Sequence, residues 1–363
     1  MLDPKSAGIA ERDWAAATAS CHELRVARII DETHDSRSIV FEIPDALRQT
    51  FRYKAGQFLS FKIPYEGRVL GRSYSLASSP DTDDEHKVTV KRVAGGRISN
   101  WLNDRLKVGD SLMVVPPAGL FVLGHETRGI VLFAGGSGIT PVISIVKSAL
   151  ATTDRKLQLV YANRDERSII FKAELDELRQ RYRGRFAITY LVDVIDGFLT
   201  PERVRRHTAA DVARDFYICG PGPFMDIVEH TLHELGVVGR GQIHIERFVS
   251  PHDPGSVTDA VEVATDSLPD GVPEMITIVL DGAVHEVPYM EGETVLGAAR
   301  RAGLNPPFSC EEGYCSCCMA KLATGDVKMA ANDCLTPELL AEGWVLTCQS
   351  RCQSRVVRIE YPD

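Results

Sequence analysis

The first third of the chain alternates hydrophobic and polar residues in short runs. Residues 24–29, 58–63 and 87–91 show this alternation clearly, and glycine, proline and aspartate turns separate the runs. A period of two is typical of β-strands that bury one face. The pattern therefore predicts an antiparallel β-barrel domain over residues 22–124.

The pattern changes from residue 125 onward. Residues 130–134, 157–161, 186–190 and 216–219 are almost wholly apolar, and amphipathic stretches of helical period lie between them. Apolar strands that alternate with helices are typical of a parallel sheet covered on both faces. The sequence predicts a doubly wound α/β domain over residues 125–248.

A proline-rich and acidic stretch, residues 249–273, has no Lys or Arg and little periodicity, which predicts a linker. Beyond it, two apolar runs flank the turn Asp281-Gly282, and this dipeptide favours a β-hairpin. Residues 294–302 have helical character, and Gly303 follows in the position that ends a helix. These elements predict a small α+β domain over residues 274–363, so the fold class is multidomain.

The composition excludes several classes of protein. With 363 residues, 44% hydrophobic and 25% charged, the chain fits several folded domains and not a disordered protein. No run approaches about 18 apolar residues, so we expect no membrane span. Residues 1–6 lack the basic and apolar segments of a secretion signal, so we expect a cytoplasmic protein.

Negative charge is concentrated at the carboxyl end. Residues 249–363 hold 18 acidic and 7 basic side chains, whereas residues 1–248 hold 32 acidic and 34 basic ones. An acidic surface repels phosphate backbones, which argues against nucleic-acid binding. The same charge either steers a basic protein surface toward this region or contributes only to solubility.

Seven of the nine cysteines lie between residues 310 and 352. Cys310, Cys315 and Cys318 have the spacing C-x4-C-x2-C, and Cys348 follows thirty positions later, which is the pattern of a plant-type [2Fe-2S] cluster. The alternative is a four-cysteine zinc site, but such sites normally use two separated C-x2-C pairs. The sequence predicts a β-grasp ferredoxin domain with these four cysteines as ligands.

Three further cysteines in this region are interpreted as non-ligands. Cys317 is adjacent to a ligand, but its use would shorten the second spacing from two residues to one. Cys334 and Cys352 fall outside the ligand pattern.

Two segments of the barrel suggest a flavin site. In the first, Arg72 supplies a guanidinium for phosphate, Tyr74 an aromatic face and Ser75 a hydroxyl near the reactive flavin nitrogen. In the second, glycines and Ser99 open a helix whose first amides can hold a pyrophosphate. The candidate flavin residues are Arg72, Ser73, Tyr74, Ser75, Val90, Lys91, Gly95, Gly96 and Ser99. Ser73, on the opposite face from Tyr74, also has a structural interpretation.

These segments resemble the flavin domain of the ferredoxin-NADP reductase superfamily. The resemblance favours FAD over FMN. Both flavins occur in members whose ferredoxin domain comes last, so the preference rests on overall similarity.

A glycine turn after the first predicted parallel strand indicates dinucleotide binding. Gly136 and Gly138 match the first two glycines of the fingerprint, and Pro141 replaces the third in the first helical turn. Residues 219–225 resemble the second nicotinamide-binding turn of the superfamily, with Cys219 close to the hydride-transfer position. The candidates from both turns are Gly136, Ser137, Gly138, Thr140, Cys219, Gly220, Pro221 and Met225. Cys219 is alternatively a small buried residue that ends a strand.

The end of the second parallel strand bears on the choice of coenzyme. Arg164 can pair with a 2′-phosphate, whereas Asp165 and Glu166 repel one and can bind ribose hydroxyls. The acidic pair favours NADH. Glu246 and Phe248 end the domain where the superfamily brings its terminal segment toward the flavin, so both are further candidates, although an ordinary surface pair explains them nearly as well.

Nearly the whole chain resembles reductase components that serve Rieske-type or diiron oxygenases. Reductases of 3-ketosteroid 9α-hydroxylases are the best match, and those of phenylacetyl-CoA epoxidases are the main alternative. The resemblance implies an NADH-dependent oxidoreductase, in which FAD converts a hydride into single electrons and the [2Fe-2S] cluster passes them to a terminal oxygenase. Tyr74, Ser75, Cys219 and Glu246 are the candidates next to the reacting atoms, and we expect a monomer.

Two other functions remain open at this stage. A diaphorase or a hybrid-cluster-protein reductase would deliver electrons to a different acceptor. An iron-sulfur sensor without enzymatic activity would bind no flavin.

Overall fold

The computed structural model describes residues 4, 7–208, 212–237, 241–248, 261–264, 271–313, 315–332 and 334–362. The chain divides into two compact units, Met1–Phe248 and Val249–Asp363. Within the described ranges, no helix has the length and apolar character needed to cross a membrane.

The first unit contains both the barrel and the parallel sheet. Its strands are β1 (His22–Thr33), β2 (Ser36–Glu42), β3 (Phe58–Tyr65), β4 (Arg68–Ser75), β5 (His86–Lys91), β6 (Ser111–Ala118), β7 (Ile130–Gly135), β8 (Leu157–Asn163), β9 (Phe186–Val192), β10 (Asp215–Gly220) and β11 (Ile243–Arg247). Its helices are α1 (Glu11–Ala17), α2 (Arg97–Asp104), α3 (Ile139–Thr152), α4 (Lys172–Arg181), α5 (Asp193–Asp196), α6 (Pro201–Thr208) and α7 (Gly222–Glu234).

The first six strands form an antiparallel sheet in the order β4-β3-β6-β1-β2-β5. A β-bridge between Leu76 and Val88 joins the chain after β4 to β5, so the two edges of the sheet meet. Inward-facing side chains such as Leu24, Phe61 and Val114 are fully buried, which follows from the alternating sequence. The predicted antiparallel barrel is confirmed.

The remaining five strands form a sheet in the order β11-β10-β7-β8-β9, and every adjacent pair is parallel. Alternate residues of each strand face opposite sides. Leu132 packs in one core with side chains of α3 and α4, while Val131 packs in another with side chains of α6 and α7. Helices therefore cover both faces, which confirms the doubly wound prediction.

The second unit has two sheets of its own. Its strands are β12 (Val261–Ala264), β13 (Met275–Leu280), β14 (Ala283–Pro288), β15 (Met319–Thr324), β16 (Asp326–Met329), β17 (Trp344–Leu346), β18 (Ser350–Cys352) and β19 (Arg358–Glu360), and its helices are α8 (Val295–Arg301) and α9 (Pro337–Ala341). One sheet has the order β14-β13-β19-β15-β17 and the other β12-β16-β18. The predicted hairpin is present, and both of its turn residues, Asp281 and Gly282, have positive φ.

The structure differs from the sequence prediction inside the predicted linker. Residues 261–264 form β12, which pairs antiparallel with β16. Val263 is buried in the core of the second unit, so this part of the segment belongs to the folded unit. Residues 271–273 are described but form no strand or helix, and the rest of the predicted linker lies outside the described residues.

Candidate functional site

The end of β4 carries the first group of predicted flavin residues. The Tyr74 ring packs against Phe61, with ring centroids 5.6 Å apart. Burial raises the pKa of Tyr74, so the phenol stays protonated at neutral pH. The guanidinium of Arg72 donates to the Gly71 carbonyl over 2.6 Å. This strand end thus presents an aromatic ring and a cation side by side, a combination that suits a flavin ring and its phosphate.

Two of the predicted flavin residues use their side chains within the barrel. The hydroxyl of Ser73 bonds to that of Ser60 over 2.7 Å, across the β3–β4 pair. The side chain of Val90 is fully buried in the barrel core. Val90 can therefore contact a ligand only through its backbone atoms. The hydrogen bond of Ser73 to Ser60 supports a structural role for the Ser73 side chain. Ser75 is 3% exposed.

The second flavin segment enters α2. Gly96 is the N-cap residue, and Ser99 lies inside the helix, where its Oγ accepts the Val93 amide over 3.3 Å. A Cβ on Gly96 would lie 2.5 Å from that Oγ, whereas a Cβ on Gly95 would meet no atom of the described residues within 4 Å. Ser99 therefore ties the loop to the helix and does not cap it, and the open backbone at Gly95 fits an approaching phosphate.

The glycine turn after β7 is in contact with the turn after β10. A Cβ on Gly138 would lie 2.1 Å from the Cys219 carbonyl oxygen, and one on Gly220 would lie 3.0 Å from the backbone of Gly135. Only glycine permits this approach. Thr140 donates to the Ser137 carbonyl over 3.0 Å and fixes the start of α3. The structure thus brings together the two predicted nicotinamide turns at one edge of the sheet.

The remaining nicotinamide candidates include Cys219 and residues of β11 and of the start of α7. This thiol is fully buried, and burial raises its pKa well above the usual value. Glu246 is its partner in the parallel ladder of β10 and β11, and desolvation raises the pKa of Glu246 to about 8. Pro221 caps α7, Met225 is 1% exposed, and Phe248, just after β11, is 44% exposed.

The carboxyl end of β8 holds the predicted ribose residues. Arg164 donates to Asp165 over 2.9 Å. Asn163, just before them, was not predicted from the sequence; it is 3% exposed, and its carboxamide nitrogen and oxygen have no hydrogen-bond partner among the described residues. Buried amides are almost always satisfied, so this orphaned group fits a site completed by a polar ligand. Asn163 could have been predicted as a site residue from the sequence, because it is an asparagine at the end of an apolar strand.

The four predicted ligand thiols are buried in the second unit. The thiol of Cys310 interacts with those of Cys315 and Cys348, and Cys318 also interacts with Cys348. The hydrogen bond with the Cys310 thiol raises the pKa of both Cys315 and Cys348, whereas the hydrogen bond with Cys348 lowers the pKa of Cys318. A bound positively charged group would favour the thiolate form of all four side chains.

Backbone amides also point at these sulfurs. The Cys310 amide donates to Cys315 Sγ over 3.4 Å, and the Glu312 amide donates to Cys310 Sγ over 3.3 Å. Such donors stabilise thiolates and tune the potential of iron-sulfur clusters. The donor set therefore fits a [2Fe-2S] group.

Comparison with known proteins gives three matching family models. They are an oxidoreductase FAD-binding domain over residues 23–123, an oxidoreductase NAD-binding domain over residues 132–230 and a 2Fe-2S iron-sulfur cluster binding domain over residues 278–353. The ferredoxin reductase component of 3-ketosteroid-9-alpha-monooxygenase from Rhodococcus rhodochrous is 41% identical, over 93% of this chain and 96% of the relative. The chain belongs to the family of oxygenase ferredoxin reductases.

Two further matches have lower sequence identity. A subunit of 1,2-phenylacetyl-CoA epoxidase from Escherichia coli is 32% identical over 91% of this chain and 94% of its own length. The crystal structure of phthalate dioxygenase reductase matches with a TM-score of 0.57 at 24% identity, over 94% of this chain and 98% of that one, and supports the fold alone.

Membership in the oxygenase ferredoxin reductases confirms several sequence predictions. The chain is an oxidoreductase with FAD-binding, NAD-binding and [2Fe-2S]-binding domains, and its relatives are ferredoxin reductase components of oxygenases. The resemblance to the steroid 9α-hydroxylase reductases is also confirmed. The individual site residues and the domain boundaries remain predictions, and the geometry above is consistent with most of them.

Proposed function

We propose that this reductase takes electrons from NADH and passes them singly from its ferredoxin unit to the oxygenase of a Rieske-type 3-ketosteroid 9α-hydroxylase. The observation that carries the choice of acceptor is the 41% identity to reductases of that system, against 32% for the phenylacetyl-CoA epoxidase component. The proposal includes a cytoplasmic monomer, in which the cysteines ligate iron and form no disulfides.

The bound groups supply the redox chemistry, namely hydride acceptance by the flavin and one-electron transfer by the cluster. The chain itself binds and orients these groups. Tyr74 and Arg72 are placed for the flavin, and the glycine turns at Gly138 and Gly220 shape the nicotinamide site. Cys219 and Glu246 line the site as neutral groups, since the pKa of each is raised.

NADH is the proposed coenzyme because acidic side chains surround Arg164. Asp165 already accepts a hydrogen bond from the guanidinium, so this cation is poorly available to a 2′-phosphate. The ratio of kcat/KM for NADH to that for NADPH tests this choice. A ratio below one would refute it.

Reconstitution tests the acceptor and the route. The purified reductase is mixed with a 3-ketosteroid oxygenase and, in parallel, with a phenylacetyl-CoA epoxidase, and product is measured per NADH consumed. We expect coupled product only with the steroid oxygenase. Cys348→Ser should abolish coupled product formation, while NADH-dependent reduction of ferricyanide persists. Cys317→Ser alters a buried neighbouring thiol and should preserve both activities. Full oxygenase turnover with Cys348→Ser would contradict electron transfer through the ferredoxin unit.

A further inference from the structure

A hairpin of the flavin barrel reaches the ribose end of the parallel sheet. The turn between β1 and β2 contains His34 and Asp35, and the Arg164 guanidinium lies against both of them. Arg164 Nη2 is 3.2 Å from His34 Nε2 and 3.7 Å from Asp35 Oδ2. A residue at the end of β8 is thus held by a side chain of the other domain of the same compact unit.

The two carboxylate oxygens of Asp35 have different surroundings. Oδ1 accepts the hydroxyls of Thr33 over 2.8 Å and Ser36 over 3.2 Å. Oδ2 faces two cations, Arg164 at 3.7 Å and Lys91 at 3.9 Å. The side chain is 15% exposed, so the turn itself fixes its orientation toward these cations.

The protonation state of Asp35 follows from these contacts. Burial alone would raise the pKa of this carboxyl, but the hydrogen bond from Thr33 and the charge of Lys91 lower it overall. Asp35 therefore carries a full negative charge at neutral pH.

Arg164 consequently lies between two carboxylates. Its Nε donates to Asp165 Oδ2 over 2.9 Å, and its Nη2 faces Asp35 Oδ2. A 2′-phosphate would add nearly two negative charges beside this group, so any contact with the 58% exposed side chain of Arg164 would be opposed by the repulsion of both carboxylates. A 2′-hydroxyl is uncharged and meets no such barrier.

We propose that Asp35 is a specificity-determining residue, which excludes 2′-phosphorylated nicotinamide dinucleotides by holding Arg164 jointly with Asp165. This inference rests on the NADH preference proposed above and adds a determinant that the flavin barrel contributes to the nicotinamide site. Asp165 lies next to Arg164 along the chain, whereas Asp35 comes from a different domain.

Asp35→Asn tests the inference, because the amide oxygen can still accept the hydroxyls of Thr33 and Ser36. Asp31→Asn is the matched control, since Asp31 is on the same hairpin but pairs with Arg37 over 2.7 Å. Calorimetry of the flavin-loaded full chain measures the Kd of AMP and of adenosine 2′,5′-bisphosphate, and steady-state kinetics measure kcat/KM for NADH and NADPH. The flavin-to-protein ratio checks that the contact of Asp35 with Lys91 has not altered flavin binding.

We expect Asp35→Asn to tighten adenosine 2′,5′-bisphosphate binding by about tenfold and to raise kcat/KM for NADPH similarly, with AMP and NADH little changed. Asp31→Asn should change neither the ratio of the two Kd values nor the ratio of kcat/KM for NADPH to that for NADH. Adding Arg164→Ala to Asp35→Asn should abolish the gain. The role of Asp35 would be overturned if both ratios were unchanged in Asp35→Asn. It would also be overturned if the tighter binding of adenosine 2′,5′-bisphosphate persisted in the double variant. A wild-type preference for NADPH would instead overturn the proposed coenzyme.

Discussion

Cys219 and Glu246 lie opposite each other on the adjacent parallel strands β10 and β11. The thiol is fully buried, and the pKa of the carboxyl is raised to about 8 by desolvation. Glu246 is therefore mostly protonated at neutral pH. An uncharged pair at this point leaves the edge of the sheet without a fixed negative charge beside the predicted nicotinamide position.

The first prediction concerns the pH dependence of stability. The unfolded carboxyl of Glu246 has a pKa near 4.5 and the folded one about 8, so folding is favoured by proton binding between these values. The stabilising contribution is complete below about pH 4.5 and is lost as pH rises through about 8. Glu246→Gln, which stays neutral, should unfold a few °C above the wild type at pH 9 and close to it at pH 5, about 1 kcal/mol of difference.

Thermal unfolding of the holoprotein at both pH values measures this effect. Part of Glu246 remains accessible to solvent, which is why only a modest difference is expected. Glu177→Gln, on the exposed side of α4, is the control and should show no pH-dependent difference. A wild type that is the more stable of the two at pH 9 would contradict the raised pKa.

The second prediction concerns the contact between the two nicotinamide turns. Gly138→Ala places a methyl group 2.1 Å from the Cys219 carbonyl oxygen, so one of the two turns must move. We expect a loss of several kcal/mol in stability and at least a hundredfold loss in kcat/KM for NADH. Gly222→Ala is the matched control, because a Cβ there meets no atom within 4 Å in the part of the chain that the structure describes. Near-wild-type kinetics in Gly138→Ala would show that the turns can separate freely.

Sequence could predict the features that depend on local chemistry. The hairpin at Asp281-Gly282 required two residues that tolerate positive φ, and the turn beginning at Gly136 required a residue free of steric restriction after an apolar strand. The spacing of Cys310, Cys315 and Cys318 is likewise a local pattern. Each of these is readable because the residues that matter are close together along the chain.

Contacts between residues that are far apart along the chain could not be predicted from the sequence. β12 contains only two apolar residues in alternation, Val261 and Val263, and it becomes a strand because residues 326–329 provide a partner. The contact of Asp35 with Arg164 joins two domains, and neither residue signals the other. Ser99 was expected to begin α2, but it lies inside the helix. The helix boundary shifts because the Ser99 side chain bonds the preceding loop to the helix.

The third prediction concerns the cysteine next to the ligands. Cys317 is 2% exposed and interacts with Cys315, so its position alone does not separate it from a ligand. The spacing assigns the ligand role to Cys318. Cys317→Ser should therefore keep the visible absorption and the spin-resonance signal of the reduced cluster, whereas Cys318→Ser should lose both. Loss of both signals in Cys317→Ser would reverse the assignment.

The fourth prediction concerns a buried ion pair beneath the parallel sheet. Arg155 and Asp215 are bonded to each other, and their side chains are 2% and 1% exposed. Arg155 also donates to the Gly124 carbonyl over 3.2 Å. This hydrogen bond holds the segment that connects β6 of the barrel to β7 of the parallel sheet. Asp215→Asn leaves a buried guanidinium without its counter-charge, so we expect a loss of about 3–5 kcal/mol and a fall in Tm of roughly 10 °C.

The exposed pair between Arg205 and Glu234 is the control for this effect. Its atoms approach to 2.5 Å, but the side chains are 40% and 43% exposed, so Glu234→Gln should cost less than about 1 kcal/mol. Both variants are compared by thermal unfolding at neutral pH, with flavin release as a second signal. Equal losses in the two variants would mean that burial does not set the strength of the Arg155–Asp215 pair, because Asp215→Asn also removes the counter-charge of Arg128, 2.7 Å from the same carboxylate.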